Sequence, residues 1–250
     1  MDGRHVVVTG AGRGIGKAIA LRLAREGATL SLLARGVEAL EQTADEIGGA
    51  FTRGVDIRDG AQVESAFRAA ADANGPVHAL VANSGIGGPN EAGDGDRFFD
   101  LVETNLVGTY RCVRALQQVL ATDGRRDVVV IASILARIAV PGYTGYSASK
   151  AGLLGLVRSL AAELAPDEVQ VNAICPGWVA TDMAWEGIDL LAEALGTTRD
   201  EAYAQAMGEV PLRRMSEPED IAGTAAWLLS ADARGVTGQA IDQNGGAFML

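Results

Sequence analysis

Val6-Val7-Val8-Thr9-Gly10-Ala11-Gly12-Arg13-Gly14-Ile15-Gly16 is the stretch that decides the fold. A short β-branched run ends in a glycine-rich turn. Helical spacing then begins at Gly14, with Ile15, Ile19 and Leu23 on one side. Glycines at a strand-to-helix turn let the backbone approach a pyrophosphate closely, and the helix N-terminus supplies free N–H groups and partial positive charge. A glycine string alone is a weak signal, but its position between a strand and a helix strengthens it. The order is G-x-G-x-G-x-G from Gly10, with Gly10, Gly14 and Gly16 in a G-x-x-x-G-x-G frame. It is not the more familiar G-x-G-x-x-G.

Working outward, short apolar runs alternate with helical patterns. Strands are expected at 6–8, 29–33, 51–55, 77–82, 128–132, 169–174 and 239–242. Helices are expected at 14–26, 37–47, 61–73, 98–120, 143–164 and 218–229. Continuous apolar strands separated by helices imply a parallel sheet covered on both faces. The expected fold class is α/β, a single-domain Rossmann fold over 1–250 with a doubly wound sheet of about seven strands. Residues 181–210 break the rhythm. An insertion at the carboxyl edge of such a sheet is where a substrate lid belongs; the alternative is a plain pair of packing helices.

The chain has 250 residues, 48% of them hydrophobic, with mean hydropathy +0.14, enough for one sizeable core. Net charge is −11 and the pI about 4.7, with no basic face of the kind nucleic acid or anionic membrane requires. Cys112 and Cys175 form no CxxC pair, so neither a metal site nor a disulfide framework is expected. His5 and His78 border apolar runs and read as strand positions. No run reaches the ~18 apolar residues of a membrane span, and Val6–Val8 is too short for a secretory signal. The expectation is a soluble, cytoplasmic protein.

Chemistry is concentrated in Tyr146-Ser147-Ala148-Ser149-Lys150, thirteen residues after Ser133. Helix positions i and i+4 stack with Cβ atoms roughly 5–6 Å apart. An ammonium held there is expected to lower the phenol pKa by about 1–3 units from ~10, towards proton exchange with an alcohol. The end of the second strand selects the nucleotide. An acidic residue there holds the ribose diol of NAD, but this chain reads Leu32-Leu33-Ala34-Arg35. Arg35 can instead grip a 2′-phosphate, with Arg13 as a second cation. NADP(H) is expected over NAD(H), which remains possible. Asp56 after the third strand is placed to reach an adenine amino group. Asn83-Ser84-Gly85 after the fourth would run beside the cofactor ribose.

These residues, with Asn105 and Pro176-Gly177 followed by Thr181, resemble the short-chain dehydrogenase/reductase family along nearly the whole chain. The resemblance implies Tyr146 as general acid in reduction and base in oxidation. Lys150 would lower its pKa and bind the nicotinamide ribose, and Ser133 would hydrogen-bond the substrate carbonyl. Asn105 would hold a water that passes protons to Lys150. It also implies a cofactor site at Gly10, Gly12, Arg13, Gly14, Ile15, Gly16, Arg35, Asp56, Ile57, Asn83, Ser84, Gly85, Pro176, Gly177, Val179 and Thr181, and no metal. One departure is visible: the usual Asn-Asn-Ala-Gly is Ala82-Asn83-Ser84-Gly85.

Within the family, Cys175 to Met183, Val210 to Arg214, Glu217 to Ala222 and Asn244-Gly245-Gly246 look most like 3-oxoacyl reductases. That group includes fatty-acid 3-oxoacyl-carrier-protein reductases, polyketide ketoreductases and 3-hydroxyacyl-CoA dehydrogenases. The implied substrate is a carbonyl or secondary alcohol, with or without a CoA or protein carrier. Trp178, Met183, Trp185 and Tyr143 fit a roomy apolar pocket, and Arg137 is either a carrier anchor or a surface arginine. Alternatives are a secondary-alcohol or polyol dehydrogenase, or a non-catalytic cofactor sensor. The resemblance also implies a homotetramer. The helix after Tyr146, apolar over more than one face at Leu153, Leu154, Leu156, Val157 and Leu160, supports this, as does the apolar tail 247–250.

Overall fold

The computed structural model describes residues 1–249; Leu250, the last residue of the apolar tail, lies outside them. Seven parallel strands form one sheet: β1 (His5–Thr9), β2 (Thr29–Ala34), β3 (Phe51–Gly54), β4 (Ala79–Ala82), β5 (Arg126–Ile131), β6 (Val169–Pro176) and β7 (Ala240–Gln243). Their order is β3-β2-β1-β4-β5-β6-β7. β1 therefore pairs with β2 on one side and β4 on the other, Val7 facing Ser31 and Leu80. The order in which strands are added reverses there, opening the crevice in which such sheets bind ligands, outside the carboxyl ends of the strands.

Alternate strand residues feed two cores, as the period of two in a strand requires. Val7, Leu33, Leu80, Val128 and Val130 face α3 (Gly60–Asn74), α5 (Gly108–Val119) and α6 (Thr144–Leu164), which contribute Phe67, Leu116 and Leu153. Val6, Val8, Leu32, Val81 and Val129 face α1 (Gly14–Arg25), α2 (Val37–Glu46) and α9 (Pro218–Leu229), which contribute Ile19, Leu40 and Leu228. Burial of the strands on both faces explains their unbroken Val/Leu character.

The stretch expected as one helix over 98–120 is three pieces. α4 (Phe98–Val102) leads into a π-helical turn at Glu103–Val107, and α5 follows. The turn inserts an extra residue where Asn105 projects inward, and Asn105 is fully buried. Such turns inside helices favour functional positions. The sequence pattern carries no sign of it, because apolar spacing changes little over five residues.

The irregular segment after β6 is a hairpin of α7 (Asp182–Leu195) and α8 (Arg199–Gly208). Thr198 and Glu201 cap α8 reciprocally, Glu201 accepting from the Thr198 N–H at 2.9 Å. The hairpin has its own apolar cluster around Ile188, Ala202, Met207 and Met215. Trp185 stacks on Tyr203 with ring centres 5.6 Å apart. That stack joins the two helices of the hairpin.

Candidate active site

The glycine turn is fixed by what surrounds it. Gly10 has φ +67, and its N–H donates to Leu33 O at 2.6 Å. Asn83 Nδ2 donates to Thr9 O at 3.1 Å and Gly10 O at 3.2 Å. The Asn83 and Ser84 N–H groups both donate to Thr9 Oγ1, at 3.0 and 3.1 Å. Loops from β1 and β4 are thus tied together across the crevice. A Cβ on Gly16 would lie 2.2 Å from Gly10 O and 2.5 Å from Asn83 Nδ2, so only glycine lets α1 start this close to the turn. The α1 N-terminus has no side-chain cap and no acid in its first turn. Its bare N–H groups and the glycine cradle fit a nucleotide pyrophosphate.

Arg35 is exposed just past the end of β2. The Asp56 carboxylate is gripped by Arg58, whose Nε lies 3.1 Å from both oxygens and Nη2 2.6 Å from Oδ2. These bonds hold Asp56 below the usual carboxylate range; burial opposes them, and the Arg35 charge adds a smaller downward pull. Any adenine contact would share a carboxylate already bound to Arg58, a partner sequence reasoning missed. Ile57 is a core side chain, so any cofactor contact there would fall to its backbone. Arg13 does not sit free beside Arg35. Its Nη1 pairs with Asp182 Oδ2 at 2.9 Å, linking the glycine turn to the first residue of α7.

On the far side of the crevice, β6 ends at Pro176. Gly177 N–H donates to Gln243 O at 3.1 Å, and a Cβ there would meet Asn244 Cα at 2.9 Å. The Val179 side chain belongs to the core. Thr181 is the N-cap residue of α7, and its Oγ1 donates to Val179 O at 3.2 Å.

Between these walls the structure brings together Ser133, Tyr146, Lys150, Asn105 and Gly85. Ser133 lies two residues past the end of β5, and its Oγ accepts from Leu135 N–H at 3.2 Å. Lys150 is buried, with Nζ donating to Ile131 O at 2.9 Å and lying 5.7 Å from the Tyr146 ring centre. A Cβ on Gly85 would come within 3.0 Å of Asn105 Oδ1 and 3.6 Å of Lys150 Nζ, so this glycine leaves the room beside both.

Electrostatics correct one expectation. Burial raises the Tyr146 pKa; the Ser133 hydroxyl pulls it back down, and Tyr143 nearby raises it further. The lysine does not set the direction, because the same burial that desolvates the phenol drives Lys150 down to about 8. At pH 7 Lys150 is still mostly protonated. The two groups move apart in proton affinity, the lysine below its ordinary value and the phenol above its own.

The Asn105 side chain is engaged with protein: Oδ1 accepts from Ile86 N–H at 2.8 Å, and Nδ2 donates to Ile86 O at 3.0 Å and Ser149 Oγ at 3.0 Å. Ser149 Oγ donates to Tyr146 O at 2.7 Å. Asn105 thereby clamps the loop after β4 to the helix carrying Tyr146 and Lys150. Sequence reasoning missed Ser149, although its position three residues after Tyr146 puts it on the same helix face. Arg137 pairs with the protein itself, its Nε 3.1 Å from Asp242 Oδ1.

Known proteins agree with this geometry. Residues 10–247 match a family model described as enoyl-(acyl carrier protein) reductase. The chain is 32% identical to the 3-oxoacyl-(acyl-carrier-protein) reductase FabG of Staphylococcus aureus, over 98% of both proteins. It superposes with TM-score 0.93 on a variant of actinorhodin polyketide ketoreductase solved with NADPH, at 34% identity over 98% of this chain and 97% of that one. Levodione reductase gives TM-score 0.91 at 30% identity, over 98% of each. The chain belongs to the short-chain dehydrogenase/reductase family and is an NAD(P)-dependent oxidoreductase. No helix among the described residues is long and apolar enough to cross a membrane.

Proposed function

We propose that the chain reduces the ketone of a 3-oxoacyl thioester or polyketide to the secondary alcohol, using NADPH. The observation that carries this reading is the convergence of Ser133, Tyr146 and a buried Lys150 beside the glycine cradle. Bound nicotinamide supplies the hydride to the carbonyl carbon. Ser133 donates a hydrogen bond to the carbonyl oxygen as negative charge develops there. Tyr146 delivers the proton to that oxygen. Lys150, cationic at neutral pH, favours the phenolate that results. Asn105 holds the Ile86 loop and the Tyr146 helix in register.

Arg35, exposed where an acid would bind the ribose diol, supports NADPH as the preferred form; each charge-assisted bond to a phosphate is worth about 1.5–3 kcal/mol. Arg13 would have to leave Asp182 to join it. The α7–α8 hairpin acts as the substrate lid. Met183 supports this, lying so close over the loop after β4 that a Cβ on Gly87 would be 2.7 Å from its sulfur.

A substrate panel separates the readings: a 3-oxoacyl thioester, a cyclic diketone and a polyol, each with NADPH or NADH. The expected result is the highest kcat/KM with the thioester and NADPH. Preference for the polyol or for NADH overturns the corresponding part. The chain assembles as a tetramer in this reading, supported by Phe99 on α4, 81% exposed; light scattering should give the mass of four chains, and a monomer mass contradicts it.

A further inference from the structure

The helix that carries Tyr146 and Lys150 starts without a cap of its own. Its N-cap residue is Tyr143, whose side chain makes no capping hydrogen bond. The first turn of such a helix frays unless its N–H groups find acceptors. The acceptor comes from elsewhere in the chain. Asn90, in the loop after β4 and 9% exposed, takes the Gly145 N–H on its Oδ1 at 2.7 Å. Thr144 Oγ1 lies 3.2 Å from Asn90 Oδ1 and 3.0 Å from its Nδ2. The Asn90 backbone N–H donates to Gly142 O at 2.8 Å. Its Nδ2 also donates to Asp96 Oδ1 at 3.0 Å, and that same oxygen accepts from Phe98 N–H at 2.9 Å, at the start of α4. A Cβ on Gly145 would lie 2.9 Å from Phe98 Cα, so α4 and α6 touch where the network joins them.

We propose that Asn90 is a positioning residue for the reaction: a cap supplied in trans that fixes the first turn of α6 and so holds the Tyr146 phenol against Ser133. This rests on the ketoreductase reading above. Tyr146 follows Gly145 directly, so a first turn that frays carries the phenol with it. Displacement of a reacting group by about 1 Å can cost about 100-fold in rate. The glycine cradle lies outside the network, so cofactor binding should be indifferent to Asn90.

The test uses the full chain with NADPH and a 3-oxoacyl thioester. Asn90→Ala should lower kcat by about 10- to 100-fold and move the pH limb of kcat/KM, while the Kd for NADP⁺ stays within about 2-fold. Asn90→Asp alone sets a carboxylate against Asp96 and should also be slow. Combined with Asp96→Asn, the donor and acceptor are exchanged and most of kcat should return. Wild-type kcat and an unmoved pH limb in Asn90→Ala, with only a lower Tm, would overturn the proposal. Should that variant not fold, wild-type kcat in Asn90→Asp, or no recovery in the exchanged pair, overturns it equally. Absence of turnover in the wild type would instead reject the ketoreductase reading and is distinguishable from either result.

Discussion

At the scale of the residue, Lys150 is where stability and function oppose each other. Its ammonium is buried, with one backbone carbonyl as its hydrogen-bonding partner, and burial drives its pKa down to about 8. The unfolded chain, with lysine near ~10.4, therefore binds more protons between those values. Stability rises with pH wherever the unfolded state binds more protons. The penalty of burying this lysine is thus full below pH about 8, fades as pH climbs from there, and is gone above the unfolded value of ~10.4. Lys150→Met should raise Tm at pH 7 and lower turnover by at least about 100-fold, with the Tm difference shrinking towards pH 10. Calorimetry at pH 7 and pH 10 checks it, and a lower Tm for the variant at pH 7 would count against the account. The Tyr146–Lys150 pair was legible in the sequence because i, i+4 spacing is a local property. The direction of the Tyr146 shift was not, because it depends on how deeply tertiary packing desolvates the ring.

At the scale of the element, each strand and each helix bordering the crevice was legible from apolar periodicity and the glycine turn. Gly16 shows why the turn reads so clearly: a strand, a turn and a helix meet where any Cβ would strike Gly10 O. Two features escaped. The π-turn at Glu103–Val107 leaves the apolar spacing almost unchanged, yet it sets Asn105 against Ile86 and Ser149. The Asn90 cap on α6 joins residues 55 positions apart. Capping signals are read within four residues of a helix start, so a cap from another loop has no sequence signature. Its worth is comparable to a local one, about 0.5–2 kcal/mol. The hairpin of α7 and α8 was legible as an interruption, with a pair of packing helices as the alternative to a lid, and the Trp185–Tyr203 stack that joins the two helices has no local sequence signature.

At the scale of the whole molecule, the doubly wound sheet brings residues from four distant segments to one crevice. Thr9 and Asn83 tie the two loops at the reversal of strand order, and β5 and α6 deliver Ser133, Tyr146 and Lys150 opposite them. The acidic charge of −11 does not conflict with a phosphate-bearing cofactor, because the α1 N-terminus and Arg35 act locally. The central claim is that the Tyr146 phenol is the proton donor to a ketone reduced in that crevice. Side-by-side turnover of wild type and Tyr146→Phe with NADPH and a 3-oxoacyl thioester, with the NADP⁺ Kd measured on the same samples, tests it most directly. The account predicts a loss of about 100- to 10,000-fold in kcat with the Kd unchanged; a Phe variant that turns over at the wild-type rate would contradict it.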